Sequence, residues 1–489
     1  MIPENTKQSR KNWMLFNTLA LLIIFAASSF ASLGPYQWWH FKQFWYPVLG
    51  AALMTCYICF GLKNNSLEEK VIVAFCVWLV ISRILNGDWF LSTDGMVIFD
   101  IALSCMFLTV GLVLPDEKRR KVLDVFAIVS VLIFTFGAIL GIYTSITGNI
   151  IPNPLYESDM CSLSENRLYI FDNNANTSGC WMFICIFFLV YLFFRHKNPF
   201  ARILVVLTAM VDYVALALTA SRSSMLGCAV CTAMLVALVA FKYLKVKKTG
   251  YKGLTLAVAL CVAGPLCYTG FSGARYLVGT AAVKYTESQR AEKAYAEENS
   301  ARPAYSVEYL SSCVQLSSET VESDSSQDNI YKDDRGFSDS GRLPIYKNAI
   351  ISLKDDPARL FRGCLYDDVM KTSWPYLTRE YAHMHNSYLQ VLHFTGIPGL
   401  LLVIAFSVLL AIRALKLFFS ENEKADMAVK SLVLFLPGFL IYNMLETSMF
   451  ALQDFRSISL FLIAGAVIAC TYDYEICPPV VSIVRKKHK

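Results

Sequence analysis

Twelve stretches of mostly apolar residues recur along this chain, and nearly all are long enough to cross a bilayer as a helix of roughly 20 residues. They run near 13–33, 45–62, 70–86, 95–114, 122–147, 177–194, 201–219, 223–241, 253–272, 386–415, 429–448 and 457–473, the third being the weakest. In hydrocarbon every backbone N–H and C=O must be paired within the segment, so spans of this kind are helical. Only 17% of the 489 residues are charged and the mean hydropathy is +0.46, against about 25% charged residues in an ordinary soluble domain. The reading is an all-α polytopic membrane protein of about 12 transmembrane helices. The first span follows Lys7, Arg10 and Lys11 and is long enough to be a retained anchor rather than a signal peptide.

Lysine and arginine placement orients the helices. With the N-terminus inside, the short inner segments and tails hold 25 Lys and Arg and the short outer loops only five. That bias places both termini in the cytoplasm, with the chain in the cytoplasmic membrane. It also accounts for the net charge of +6 as anchoring against anionic lipid, which leaves no case for nucleic acid. Four regions follow: a bundle of helices 1–9 over 1–272, an extracytoplasmic loop over 273–384, helices 10–12 over 385–475, and a basic cytoplasmic tail over 476–489. Within the loop, 284–340 is strongly polar, with an exposed helix expected over Glu287 to Asn299. Leu343, Tyr346, Ile350 and Leu353 share one face of an amphipathic helix over 343–354.

Most of the 15 cysteines lie inside the spans, where cysteine is a small apolar filler. Cys161, Cys313 and Cys364 fall on the outer side and are the ones an oxidising compartment could pair.

Four polar segments converge on the outer face. They are Asn166 to Gly179, including Arg167, Asn174 and Asn176; the tight turn Thr219 to Ser224, with Ser221 and Arg222; the stretch opening at Ser340-Gly341-Arg342; and Ala382 to Gln390, with His385, Asn386 and Tyr388, running on to Gly396-Ile397-Pro398-Gly399. Each has an ordinary reading beside the functional one. Arg222 at a helix end can snorkel to the interface. Arg167 and Arg342 read as solvated loop residues, His385 as an interface residue, Asn174-Ala175-Asn176 as turn chemistry, and the two glycines as helix-packing positions. The His383-x-His385 pair, with Glu380 and His393 nearby, fits no metal-site spacing. Taken together, three arginines and a histidine beside lipid suggest more. Arginine is the preferred fork for phosphate oxygens, and histidine accepts a proton near neutral pH.

This set resembles the O-antigen ligase and O-antigen polymerase superfamily of bacterial envelope proteins over about 165–415. His385-Asn386-x-Tyr388-Leu389 with Gly396-x-x-Gly399 is similar to the family's histidine motif. Ser221-Arg222 is similar to its arginine after an outer-face serine. Arg342 followed by Pro357-x-x-Leu360-Phe361-x-Gly363 is similar to its loop arginine and the segment behind it. Arg167 with Asn174-x-Asn176 and Gly179 resembles an upstream Arg and Asn-Pro-Asn-Gly pattern. Four features depart from the family's pattern: Ala175 replaces the proline, Asp172-Asn173 makes that stretch irregular, Arg362-Gly363-Cys364 stands where a glycine pair is expected, and residues 284–340 are longer and more polar than expected.

The resemblance implies transfer of a glycan from a polyprenyl-pyrophosphate carrier to an acceptor glycan or glycolipid at the outer membrane face. It implies that Arg222, Arg342 and Arg167 bind the pyrophosphate and that His385 handles the acceptor proton. Ser221, Asn174, Asn176, Asn386 and Tyr388 support them. No nucleotide, metal or other cofactor is expected. The shared motifs do not separate ligase from polymerase, although the irregular loop leans to the polymerase. The rival reading is a 12-helix secondary transporter, with Asp212 as its intramembrane acid. Against it, no internal repeat is evident and the long loop does not divide the chain in halves.

Overall fold

Ends and starts of the helices follow local capping chemistry. A computed structural model describes residues 66–87, 105, 107–108, 111–112, 114–152, 159–164, 167–171, 174–244, 249–299, 342–364, 384–421, 426–447 and 455–473. Helix α1 (Leu67–Leu85) is capped by Ser66, whose hydroxyl accepts from the Glu69 N–H, and opens with two acids that suit the helix dipole. Helix α2 (Asp116–Thr147) ends at Gly148 in the left-handed conformation. A small antiparallel sheet follows, β1 (Ile151–Pro152), β2 (Asp159–Ser164) and β3 (Arg167–Ile170), in the order β1-β2-β3. Then come α3 (Ala175–Arg195), α4 (Pro199–Leu218), α5 (Arg222–Tyr243) and α6 (Thr249–Asn299). The chain continues with α7 (Arg342–Asp355) and a single turn, α8 (Arg359–Arg362). It closes with α9 (Ser387–Phe419), α10 (Met427–Leu445) and α11 (Phe455–Asp473).

Nine of the expected spans therefore have helical counterparts among the described residues, and eight of these helices are long and apolar enough to cross a membrane. The protein is a multi-pass helical membrane protein. Helix α1, with Glu68, Glu69, Lys70 and Arg83, is the weakly apolar third span. The first two spans, most of the fourth, the polar stretch 300–341 with Cys313, His383 and the basic tail lie outside the described residues. Helix α6 passes without a break through positions 272 and 273 to Asn299. The helix expected over Glu287 to Asn299 is thus the far end of the ninth span.

Packing divides each helix into a core face and an outer face. One continuous apolar core is built around Trp181, Phe183, Phe188, Phe435 and Phe461. The outer faces are apolar too. On α9, Ile397, Leu401, Ile404, Val408, Ile412 and Leu415 form an exposed stripe, and on α4 Phe200, Ile203, Leu204, Leu207 and Met210 form another. Stripes at this spacing are unfavourable against water and favourable against lipid. At one end of the bundle, ion pairs tie neighbouring helices together: Arg413 to Glu68, Arg119 to Asp473, Arg120 to Asp426 and Arg195 to Asp124.

Two glycines interlock the loop with the bundle. Helix α9 is broken at Gly396 (φ 69°, ψ −174°), and Gly363 after α8 also takes a positive φ of 70°. A Cβ on Gly396 would stand 2.3 Å from the Phe361 carbonyl oxygen, and one on Gly363 would stand 2.4 Å from that of Phe394. Backbone meets backbone here, so neither side can yield. The Cys364 N–H donates to the His393 carbonyl at 2.9 Å. Arg362 ends α8, so glycine is required only at the position after it. Gly396→Ala is expected to destabilise the protein by about 3 kcal/mol through overpacking and strain at positive φ. The check is the thermal unfolding midpoint in detergent, and an unchanged midpoint would refute the interlock.

The amphipathic helix over 343–354 is present as α7, but its buried face is turned from the expected one. Ile345, Ala349 and Leu353 are buried and Ile350 is half exposed, because Ile345 and Ala349 pack against Met384 and Cys364 in a small separate core. Neither Cys161 nor Cys364 is joined in a disulfide. Burial pushes the Cys161 thiol up to about 12, which makes it a poor partner for disulfide exchange.

Candidate active site

At the end of the bundle opposite the ion-pair layer, four chain segments come together. Asn174 caps α3, its Oδ1 accepting from the N–H groups of Asn176 and Thr177. Ala175 is the first residue of that helix, the position where proline's fixed φ and missing N–H do no harm, so alanine keeps the same cap. One turn on, Gly179 leaves room for Ser221, to which a Cβ there would stand 2.5 Å away. The α4–α5 turn can therefore lie against α3, with Ser221 as the α5 cap residue and Arg222 as its first helical residue. Ser221 bonds the Ser224 hydroxyl at 2.9 Å and makes no cap bond to the α5 backbone.

Among the described residues, the non-glycine positions with positive φ are Phe171 (56°), Ala220 (48°) and His385 (49°). All three fall in the segments that carry the expected site residues. Such backbone persists only where its surroundings hold it, and it concentrates at functional sites. At His385 the hold is visible. The Tyr346 hydroxyl donates to the His385 carbonyl at 2.9 Å. Asn386 caps α9 through Leu389 N–H and donates to the Met444 carbonyl at 3.0 Å. Burial pushes the Tyr346 phenol up, keeping it a donor.

The centre of the site is Glu446, just past the end of α10 and 2% exposed. Its Oε1 accepts from Arg342 Nη2 and, at 2.8 Å, from Asn176 Nδ2. Its Oε2 lies 3.0 Å from His385 Nδ1. Asn176 Oδ1 in turn accepts from Arg167 Nη2 at 2.5 Å, while Arg167 Nε donates to the Thr219 carbonyl at 3.0 Å. Against a carboxylate, His385 Nδ1 carries the proton, leaving Nε2 as the basic nitrogen. The network joins Arg167, Asn176, Arg342 and His385 through an acid that is absent from the sequence-based set. A signal was there: an acid ending an apolar span, on the face where the arginines gather.

A cavity of about 660 Å³ opens between α5 and α6. Arg222, Arg342, Tyr346 and Tyr268 line it together with Leu226, Ala229, Val230, Leu260, Gly264, Pro265 and Leu445. One part of the wall is cationic and the rest is apolar. Arg167 does not line it. Tyr388 turns instead to the apolar core, beside the Ser407 hydroxyl.

These features define a polytopic membrane protein with a two-arginine pocket and a histidine–carboxylate pair at one end of its helices. Residues 203–404 match the protein family described as O-antigen ligase, and no curated protein matches the chain. The match covers less than half of the chain and supports the O-antigen ligase and polymerase superfamily, and with it a membrane protein of the glycosyl-transferring kind in surface-polysaccharide assembly. Arg222, Arg342 and His385 lie inside the matched stretch, whereas Arg167, Asn176 and Glu446 lie outside it.

Proposed function

We propose that this protein transfers a glycan from a polyprenyl-pyrophosphate carrier to an acceptor hydroxyl at the outer face of the cytoplasmic membrane. The observation that carries this reading is the cavity between α5 and α6, cationic at Arg222 and Arg342 and apolar along Leu226, Val230 and Leu260. A lipid pyrophosphate needs both halves: guanidinium forks for its oxygens and an apolar wall for its chain. From Arg222 to Val230 the α5 wall runs about 12 Å along the helix axis. The open N-terminus of α5 adds partial positive charge beside Arg222. The excess of Lys and Arg on the opposite side of the spans supports an outward-facing site.

In the reaction, the acceptor oxygen attacks the anomeric carbon of the carrier-linked sugar. His385 Nε2 takes the acceptor proton, and Glu446 steadies the imidazolium that results. The bond from the anomeric carbon to the phosphate oxygen breaks with its electron pair on the pyrophosphate. Arg222 and Arg342 stabilise the charge that grows there. The carrier brings its own leaving group, so no nucleotide enters the scheme.

The test in cells is deletion of the gene, followed by gel analysis of surface polysaccharide and of carrier-linked glycan. Single repeat units stranded on the carrier identify a polymerase, and full-length chains stranded there identify a ligase. An unchanged profile contradicts the glycan reading and favours a transporter.

A further inference from the structure

Arg167 and Asn176 carry polar side chains into the site without facing its cavity, and their geometry asks for a role of its own. We propose that Asn176, braced by Arg167, is a positioning residue that keeps Glu446 against His385 once the donor has drawn Arg342 away. The inference rests on the donor reading above.

The chemistry of the four groups fixes the direction of each bond. A guanidinium only donates, so the Asn176 atom facing Arg167 is its carbonyl oxygen, and the atom facing Glu446 is its amide nitrogen. Arg342 and Asn176 bond the same carboxylate oxygen, Oε1, while His385 meets the other. A pyrophosphate entering the cavity competes for Arg342, because its oxygens present the same forked geometry with more charge. When Arg342 turns to it, Asn176 still holds the Oε1 side of Glu446. Asn176 cannot follow Arg342, since Arg167 holds its other end and is itself tied to the Thr219 carbonyl next to the Arg222 turn. Arg167 thus sets the angle of Glu446 through Asn176. This role differs from direct pyrophosphate binding by Arg167.

The test uses the full-length protein in nanodiscs, with carrier-linked glycan extracted from a deletion strain as donor. It compares wild type, Asn176→Asp, Arg167→Lys and Arg222→Ala. Asn176→Asp keeps the shape and the bond to Arg167 but sets an acceptor against Glu446. It is expected to lower kcat by about 10- to 100-fold, the loss typical when a group orienting a reacting ligand is removed, with donor KM changed less than about threefold. Arg167→Lys keeps the charge but cannot hold Thr219 and Asn176 together, so kcat falls and donor KM stays. An unchanged donor KM also reports that each variant is folded. Near-wild-type kcat in Asn176→Asp overturns the proposal. So does a rise in donor KM in Arg167→Lys, which would make Arg167 a pyrophosphate ligand. If wild type is active and Arg222→Ala is impaired while Asn176→Asp is not, only this inference fails. If wild type moves no glycan, the donor reading falls and takes the inference with it.

Discussion

Arg222→Ala is expected to cut glycan transfer by about 10³-fold while the protein stays folded in the membrane, the scale of loss when a preorganised charge stabiliser is removed. The size of the effect follows from position. Arg222 is the first residue of α5 and lines the cavity, after a turn that packs on Gly179 and takes a positive φ at Ala220. On the proposed reading it meets the leaving pyrophosphate with little reorganisation. Arg222 is half-buried and lies outside the apolar core, so its replacement by Ala is expected to leave the helix packing intact. Arg222→Lys should recover part of the rate, since a point charge attracts phosphate but cannot fork across two oxygens. The measurement is the initial rate of transfer with each variant at equal membrane abundance. Equal rates in Arg222→Ala and wild type would remove the pyrophosphate from this site.

Glu446→Gln should be nearly as damaging, at about 10³-fold, for a different reason. The substitution keeps the volume and removes the charge. The new side chain could accept only through its single oxygen, and its amide would face a second donor among Arg342, Asn176 and His385. The imidazolium formed during transfer would then lack its counter-charge, and the tautomer with Nε2 basic would lose its support. Because the effect runs through His385, the double variant Glu446→Gln/His385→Ala should be no slower than His385→Ala alone. Additive losses would show that Glu446 acts elsewhere.

How much of this is legible in the sequence differs by element. The spans are, because runs of apolar residues need no tertiary context to be read. Arg222 and His385 are legible as polar residues at the ends of apolar runs and Arg342 as a loop residue on the same side, and the structure brings all three to one end of the bundle. Glu446 is not. Phosphate chemistry points to cations, and an acid 61 residues beyond His385 gains its meaning only when α10 is packed beside α9. The sheet is also hidden. Residues 151–170 read as turn and loop, since β1 has two residues and β2 mixes polar and apolar ones. Only β3 alternates clearly, with Leu168 and Ile170 buried between half-exposed neighbours. The buried face of α7 lies a fraction of a turn from the expected one, because helical periodicity fixes a stripe of apolar residues but not which edge of it a neighbour such as Met384 will cover. Arg167 belongs with the other arginines by residue type alone, whereas its bonds to Thr219 and Asn176 show a residue engaged within the protein.

The direct measurement is release of polyprenyl pyrophosphate. Purified protein in nanodiscs would be given carrier-linked glycan and acceptor, and the lipid product would be followed by chromatography. Wild type should release polyprenyl pyrophosphate in step with the appearance of glycosylated acceptor, and Arg222→Ala and His385→Ala should release almost none. Glycan transfer without pyrophosphate release, or release undiminished in both variants, would contradict the account.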